Sequence, residues 1–188
     1  MTARAWPGPA PVRLARVARV LSWCAVLGLV ACASPPLGTG QGEWTSGRLQ
    51  VRVEALADQP ARSMSAAFDL RGDGTQGELR LNTPLGTQVA RARWSATGVS
   101  LGTSSGERQF QSLDELSREA LGEALPLAAL PDWLAGRPWP GAGHVPGSSG
   151  FEQLGWQVAL DRRAQGIIEA RRVAPPAVLL RVRLDGSD

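Results

Sequence analysis

The 188 residues include no lysine and no tyrosine, one histidine and two cysteines. Each shortage removes a class of chemistry. Without lysine, no glycine-rich phosphate loop ending in Lys can be built. The one histidine, His144, sits in a Pro- and Gly-rich loop from Pro140 to Gly147. A lone imidazole with no Cys or second His beside it cannot hold zinc, so His144 reads as a solvated loop residue. Acidic residues are absent from the first 42 positions and are later scattered, mostly on the polar sides of strands, rather than set in catalytic pairs. No metal, cofactor or catalytic group is therefore expected, and the chain does not look like an enzyme. Long apolar runs are missing too. The stretch Val20 to Ala31 covers about 12 residues, whereas a membrane-spanning helix takes roughly 20.

What is present at the N-terminus is ordered like an export signal. Arg4, Arg13, Arg16 and Arg19 precede the short apolar run, and small residues close it. Leu29-Val30-Ala31-Cys32 resembles the lipobox of bacterial lipoproteins, which implies cleavage after Ala31 and a lipid on Cys32. Cys24 is the rival site, but Trp23 before it is too bulky for a peptidase that must approach the backbone. Loss of the four signal arginines takes the formal charge from +3 to −1, so the basic precursor gives no argument for nucleic acid as a partner. With Cys24 removed and Cys32 acylated, no thiol is left for a disulfide. The expected organisation is a signal peptide over 1–31, a flexible lipid tether over 32–43 and one domain over 44–188. The tether is uncharged up to Gly42 and rich in Pro and Gly, a composition that buries too little apolar surface to order itself.

From Trp44 onward a period of two dominates. Leu49, Val51 and Val53 alternate with Arg48, Gln50 and Arg52, giving a strand one apolar and one wet face. Met64 to Leu70 repeats the pattern, followed by a turn at Arg71-Gly72-Asp73-Gly74, then Leu79 and Leu81, Ala90 to Trp94, and Val99 with Leu101. One change of period interrupts this. Ser112-Leu113-Asp114-Glu115 fits a capping box, Leu113, Leu116, Ala120 and Leu121 share a helix face, and Gly122 is the stop. A second helical stretch is expected from about Pro126 to Ala135, kinked or divided by Pro131. A loop from Gly136 to Gly150 should lead back to strands around Phe151 to Leu160, Ile167 to Arg172 and Leu180 to Leu184. The fold class expected is mainly β: a curved antiparallel sheet or half-open β-barrel, with the helical insertion against its concave face.

Short matches to catalytic or adhesive motifs dissolve in this pattern. Gly102-Thr103-Ser104-Ser105-Gly106 has the letters of a nucleophile elbow but joins two short strands, where the elbow needs a strand and then a helix. Arg71-Gly72-Asp73 falls where the alternation demands a turn. The tryptophans at 44, 94, 133, 139 and 156, with aliphatics on every strand, supply either a filled core or the lining of a hollow.

A resemblance points further. Trp44 with Gly47-Arg48-Leu49, Gly77-Glu78-Leu79-Arg80-Leu81 before Pro84-Leu85-Gly86, Leu125-Pro126-Leu127 with Trp133-Leu134-Ala135-Gly136 and Pro138, and Gln153-Leu154-Gly155-Trp156 run in order along the whole mature chain. Together they resemble the LolB family of outer-membrane lipoproteins. The resemblance implies a half-open barrel whose helices close an apolar cavity. It also implies that a monomer, anchored by lipid to the periplasmic face of the outer membrane, takes acylated lipoproteins from the periplasmic carrier LolA and inserts them among outer-membrane phospholipids. It places a membrane-insertion loop at Pro84, Leu85 and Gly86. The candidate acyl-chain cavity is then Leu49, Val51, Phe68, Leu70, Leu79, Leu81, Trp94 and Trp156 of the sheet, opposed by Leu116, Leu130 and Trp133. The absence of tyrosine and the presence of Pro131 depart from many relatives. Two other classes remain open from the residues alone: a scaffold lipoprotein with a filled core, and a lipid hydrolase using Ser104.

Overall fold

The computed structural model describes residues 42–186 apart from Asp58; the signal segment, Cys32 and the chain up to residue 41 lie outside the described residues. Alternation becomes strand wherever it was sustained. In β1 (Thr45–Val53), Gly47, Leu49, Val51 and Val53 are buried while Arg48, Gln50 and Arg52 face water. Next come β2 (Arg62–Gly72), β3 (Gly77–Asn82), β4 (Gln88–Ser95), β5 (Gly98–Thr103) and β6 (Gly106–Phe110). Two helices follow, α1 (Leu113–Leu121) and α2 (Leu130–Leu134), then β7 (His144–Gly147), β8 (Gly150–Gln153), β9 (Trp156–Ala159), β10 (Ile167–Arg172) and β11 (Val178–Leu184).

All strand pairs are antiparallel, and the sheet order is β6-β5-β4-β3-β2-β1-β11-β10-β9-β8-β7. Two meanders, β1 to β6 and β7 to β11, are joined where β1 pairs with β11 from Gly47↔Leu184 to Val53↔Val178. Eleven twisted strands curl rather than lie flat. The edges β6 and β7 do not pair with each other, so the barrel stays half open. The segment between those edges enters the concave face. Its Leu113, Leu116, Leu125, Leu127, Leu130, Trp133 and Leu134 join one apolar core with Leu49, Phe68, Leu79, Trp156 and Leu180 of the sheet.

Helix α1 follows its local code. Ser112 Oγ accepts the Glu115 N–H at 3.1 Å, and Gly122 ends the helix at φ 76°. Glu115 reaches one residue further back than a capping box requires, accepting from the Gln111 N–H at 2.7 Å. The second helical stretch is shorter than its apolar stripe implies. Residues 126–129 form turns, and Pro131 neither kinks nor divides a helix but stands in the first turn of α2, where its missing N–H costs nothing. The expected loop from Gly136 to Gly150 contains β7, an edge strand disguised by Pro146 and its glycines, and His144 is its exposed first residue. The imperfect alternation between Phe151 and Leu160 also has a cause. Leu154 (φ 55°) and Gly155 (φ 75°) make a two-residue hairpin turn between Gln153 and Trp156, which restarts the register.

Candidate functional site

The β3–β4 connection is built to hold a side chain away from the protein. Thr83-Pro84-Leu85-Gly86 closes with the Gly86 N–H donating to the Thr83 carbonyl at 2.9 Å, and the Thr83 N–H donates to the Thr87 carbonyl at 2.8 Å. Pro84 pre-sets the turn and Gly86 takes φ 84°, which a side chain would resist. Thr83 Oγ1 accepts the Thr87 N–H at 3.2 Å. A register shift at Leu81/Asn82 accompanies the turn. Leu85 is left 94% exposed at the tip, the barest large apolar side chain among the described residues.

The interior is less uniform. Leu49, Val51, Phe68, Leu70, Leu79, Trp94, Leu116, Leu130, Trp133 and Trp156 are buried in one cluster, with Leu81 half-buried against it. Between Leu49, Val51, Leu79 and Leu81 on one side and Leu125, Leu127 and Leu130 on the other, only about 30 Å³ is open. That is room for little more than a water molecule. A second hollow of about 560 Å³ lies where Trp94 and Val99 of one meander face Trp156 and Leu154 of the other, with Ala128, Ala129 and Trp139 between them. Its rim includes exposed Thr75, Ser95 and Asp114, so it reaches the surface. The volume is in the range of small-molecule pockets. Phe68, Leu70, Leu116 and Trp133 line neither hollow.

Two buried polar residues fix the inserted segment, and periodicity marks neither. Gln153 uses its whole amide: Oε1 accepts from Trp133 Nε1 (2.8 Å) and the Trp139 N–H (2.9 Å), while Nε2 donates to the carbonyls of Trp139 and Ala142 (both 2.8 Å). Trp133 then stacks edge-on to Phe151 and tilted to Trp156, each 6.3 Å away between centroids. Ser117, fully buried on the inner face of α1, accepts the Leu125 N–H at 3.0 Å. Arg172, on the wall of the larger hollow, pairs with Glu123 at 2.7 Å and donates to the Pro176 carbonyl at 3.0 Å. A bare apolar segment inside a barrel could slide; these bonds give it one position.

Behind the inner wall, the outer face of β2 to β4 carries a compact ion cluster. Glu78 accepts from Arg71 Nη2 at 2.8 Å, Arg80 Nε at 2.7 Å and Arg91 Nε. Burial would raise its pKa, but the three guanidinium hydrogen bonds outweigh burial and hold it down at about 2. Arg71 and Arg80 also lie 4.4 and 4.3 Å from the ring centroid of Trp44.

The other marked positions hold no machinery. Ser104 is exposed in the β5–β6 hairpin turn, as the strand pattern requires. Asp73 serves its own turn, with Oδ1 accepting from the Thr75 N–H and hydroxyl and from the Gln76 N–H. Its pKa is lowered by those same bonds, that from the Thr75 hydroxyl first. Exposed His144 lies edge-on to Phe151.

This frame has clear counterparts. A family model described as outer membrane lipoprotein LolB matches residues 44–184. Among individual proteins, the outer-membrane lipoprotein LolB of Bordetella petrii is 32% identical over 176 residues, covering 84% of this chain and 87% of that protein. The one from Bordetella pertussis is 34% identical over 174 residues, with 86% and 87% covered. That of Chromobacterium violaceum is 32% identical over 120 residues, 63% of each chain.

Proposed function

The chain belongs to the LolB family of outer-membrane lipoproteins, and from that premise we propose that it receives acylated lipoproteins from a LolA-like periplasmic carrier and inserts them into the outer membrane. Family membership makes it a lipoprotein-localisation factor and not an enzyme. The proposed anchor is a lipid on Cys32, with the chain from 32 to 43 as tether and 44–188 as the working domain. The observation that carries the insertion step is Leu85, 94% exposed on a turn whose own backbone bonds are closed. A leucine held in water by a rigid support is stabilised only on entering lipid or a partner.

The energetics need no nucleotide. Each acyl CH₂ taken from water contributes about 0.8 kcal/mol, so cargo crosses the periplasm only in an apolar shelter. About 1.4 kcal/mol of tighter grip than the donor's already biases transfer tenfold. The bilayer is the final and deepest sink. The larger hollow, walled by Trp94, Trp139 and Trp156, is the place where an acyl chain can start without displacing protein. Chains long enough to pass it would have to part Leu125 and Leu127 from Leu49, Val51, Leu79 and Leu81.

Leu85→Glu should leave the fold and cargo acceptance intact while insertion into vesicles is lost; normal insertion by that variant would overturn the role of the loop. The tight packing beneath Leu125 and Leu127 favours a second reading, a scaffold lipoprotein with a filled core. Uptake of a fluorescent fatty acid separates the two, because a scaffold of that kind takes up none.

A further inference from the structure

Leu85 is not the only bare apolar side chain at its end of the sheet. Leu56 (42% exposed), Val89 (46%) and Val173 (63%) share it, as does Leu154 (48%) in the β8–β9 turn, which lines the larger hollow. Leu56 lies in the β1–β2 loop, Leu85 and Val89 at the β3–β4 hairpin, and Val173 in the β10–β11 loop. In the sheet these hairpins are neighbours, since the order runs β4-β3-β2-β1-β11-β10. Six adjacent strands span about 24 Å. The loops at the opposite end of the same strands are polar, with Asp73, Thr75 and Gln76 in one and Asp161, Arg162 and Arg163 in another. None of the exposed large apolar residues lies there.

We propose that these three hairpin tips form one seat on the phospholipid bilayer, on which the domain rests end-on, with Leu85 the deepest contact. The proposal rests on the reading of Leu85 as a membrane-insertion residue and extends it to a surface. The tips suit lipid in their backbones as well as their side chains. Besides the closed turn at Leu85, Leu56 and Gln59 exchange both backbone hydrogen bonds at 3.0 and 2.7 Å. In Val173-Ala174-Pro175-Pro176-Ala177 two of five residues have no N–H to satisfy, and the Ala177 carbonyl accepts from Glu54 at 2.9 Å. Unpaired backbone groups are the main penalty for loops entering an apolar medium. Residues 83–87 and 173–177 carry no charge, the loop around Leu56 carries Glu54 and Asp58, and exposed Arg52, Arg62 and Arg171 stand just behind the tips, at the depth of phosphate headgroups.

The length of the chain outside the domain fits this orientation. β1 begins at the polar end, so the lipid on Cys32 must reach back along the strands. The 12 residues from Ala33 to Trp44 extend to about 40 Å at most, and the nine residues of β1 run about 30 Å. The tether is long enough, with little to spare.

The test uses the mature lipidated chain in vesicles of phosphatidylethanolamine and phosphatidylglycerol. Because Cys32 is acylated, Leu56→Cys, Leu85→Cys, Val173→Cys and Thr97→Cys each offer a single thiol for an environment-sensitive NBD label. A blue shift at 56, 85 and 173 but not at 97, on the opposite end, is expected. A shift at 85 alone would overturn the seat and spare the loop; no shift at any tip would overturn both readings, and an equal shift at 97 would overturn the orientation. Deleting Pro35 to Thr39 leaves seven residues, about 24 Å, and should lower insertion at least about tenfold, with a Gly-Ser replacement of equal length restoring it. Unchanged insertion by the deletion would refute the reach-back geometry.

Discussion

The packed floor of the barrel and its open mouth are faced by the same inserted segment, only a few residues apart. At the floor the segment offers Leu125, Leu127 and Leu130 to the leucines of β1 and β3, and about 30 Å³ remains. At the mouth it offers Ala124, Ala128 and Ala129, beside Leu113, Leu125 and Trp139, to Trp94 and Trp156, and about 560 Å³ remains. Leu127 and Leu130 face only the floor, while the short Ala124, Ala128 and Ala129 face only the mouth. A lipid shelter needs both: a wall dense enough to hold the sheet's curvature, and a place where the filling stops short.

That contrast can be broken most forcefully at Trp133. Trp133→Ala removes a side chain 1% exposed, its contacts with Phe151 and Trp156 and its bond to Gln153. A loss of about 4 kcal/mol in denaturant unfolding is expected, and a loss under about 1 kcal/mol would show that the inserted segment is not held against Phe151, Gln153 and Trp156 as described. Leu127→Ala should cost about 3 kcal/mol and speed uptake of a fluorescent fatty acid, if the floor is what slows entry.

Glu78 tests the wall from outside. Its folded pKa of about 2 lies below the ordinary 4.5, so its contribution is complete above about pH 4.5 and fades as pH falls toward 2. Glu78→Gln should therefore cost about 2–3 kcal/mol at neutral pH, after allowing for three partly exposed arginine partners. The two proteins should then converge in stability in acid. The smallest effect on stability belongs to the mouth: Ala128→Trp adds bulk where space exists and should change unfolding by less than about 1 kcal/mol. It should nonetheless weaken fatty-acid binding about tenfold, as measured by probe titration. If binding is unaffected, acyl chains enter elsewhere.

Much of the sheet was legible because strands such as β1 and β11 have one buried and one wet face, and their period of two survives in the residues themselves. α1 was legible because Ser112, Glu115 and Gly122 are local signals. Turns at 126–129 were hidden, since Leu127 and Leu130 keep a helical spacing although no helix joins them. β7 was hidden because an edge strand tolerates proline and need not alternate. The site divides in the same way. Leu85 stands out in sequence as a leucine in a turn between two strands, and ten of the eleven proposed cavity residues are buried on the expected side. The floor and mouth did not stand out, nor did Ser117, and Gln153, Glu78 and Arg80 stood out only as letters of the family resemblance, without their bonding partners. These depend on what lies across the barrel or beside a strand, and register alone decides that.

The stacking of Arg71 and Arg80 on Trp44 has a mechanical consequence. Under the proposed tethering through residues 32–43, a pull from the bilayer reaches the domain at one point, where the chain enters β1. Trp44 is the last residue before the strand, and it is gripped by side chains of two other strands. A pull arriving there is shared with β2 and β3 before it loads the first rung, Thr45↔Leu70. The indole works as a cleat, and β1 itself, hydrogen-bonded to β2 on one side and β11 on the other, has no free edge from which to peel.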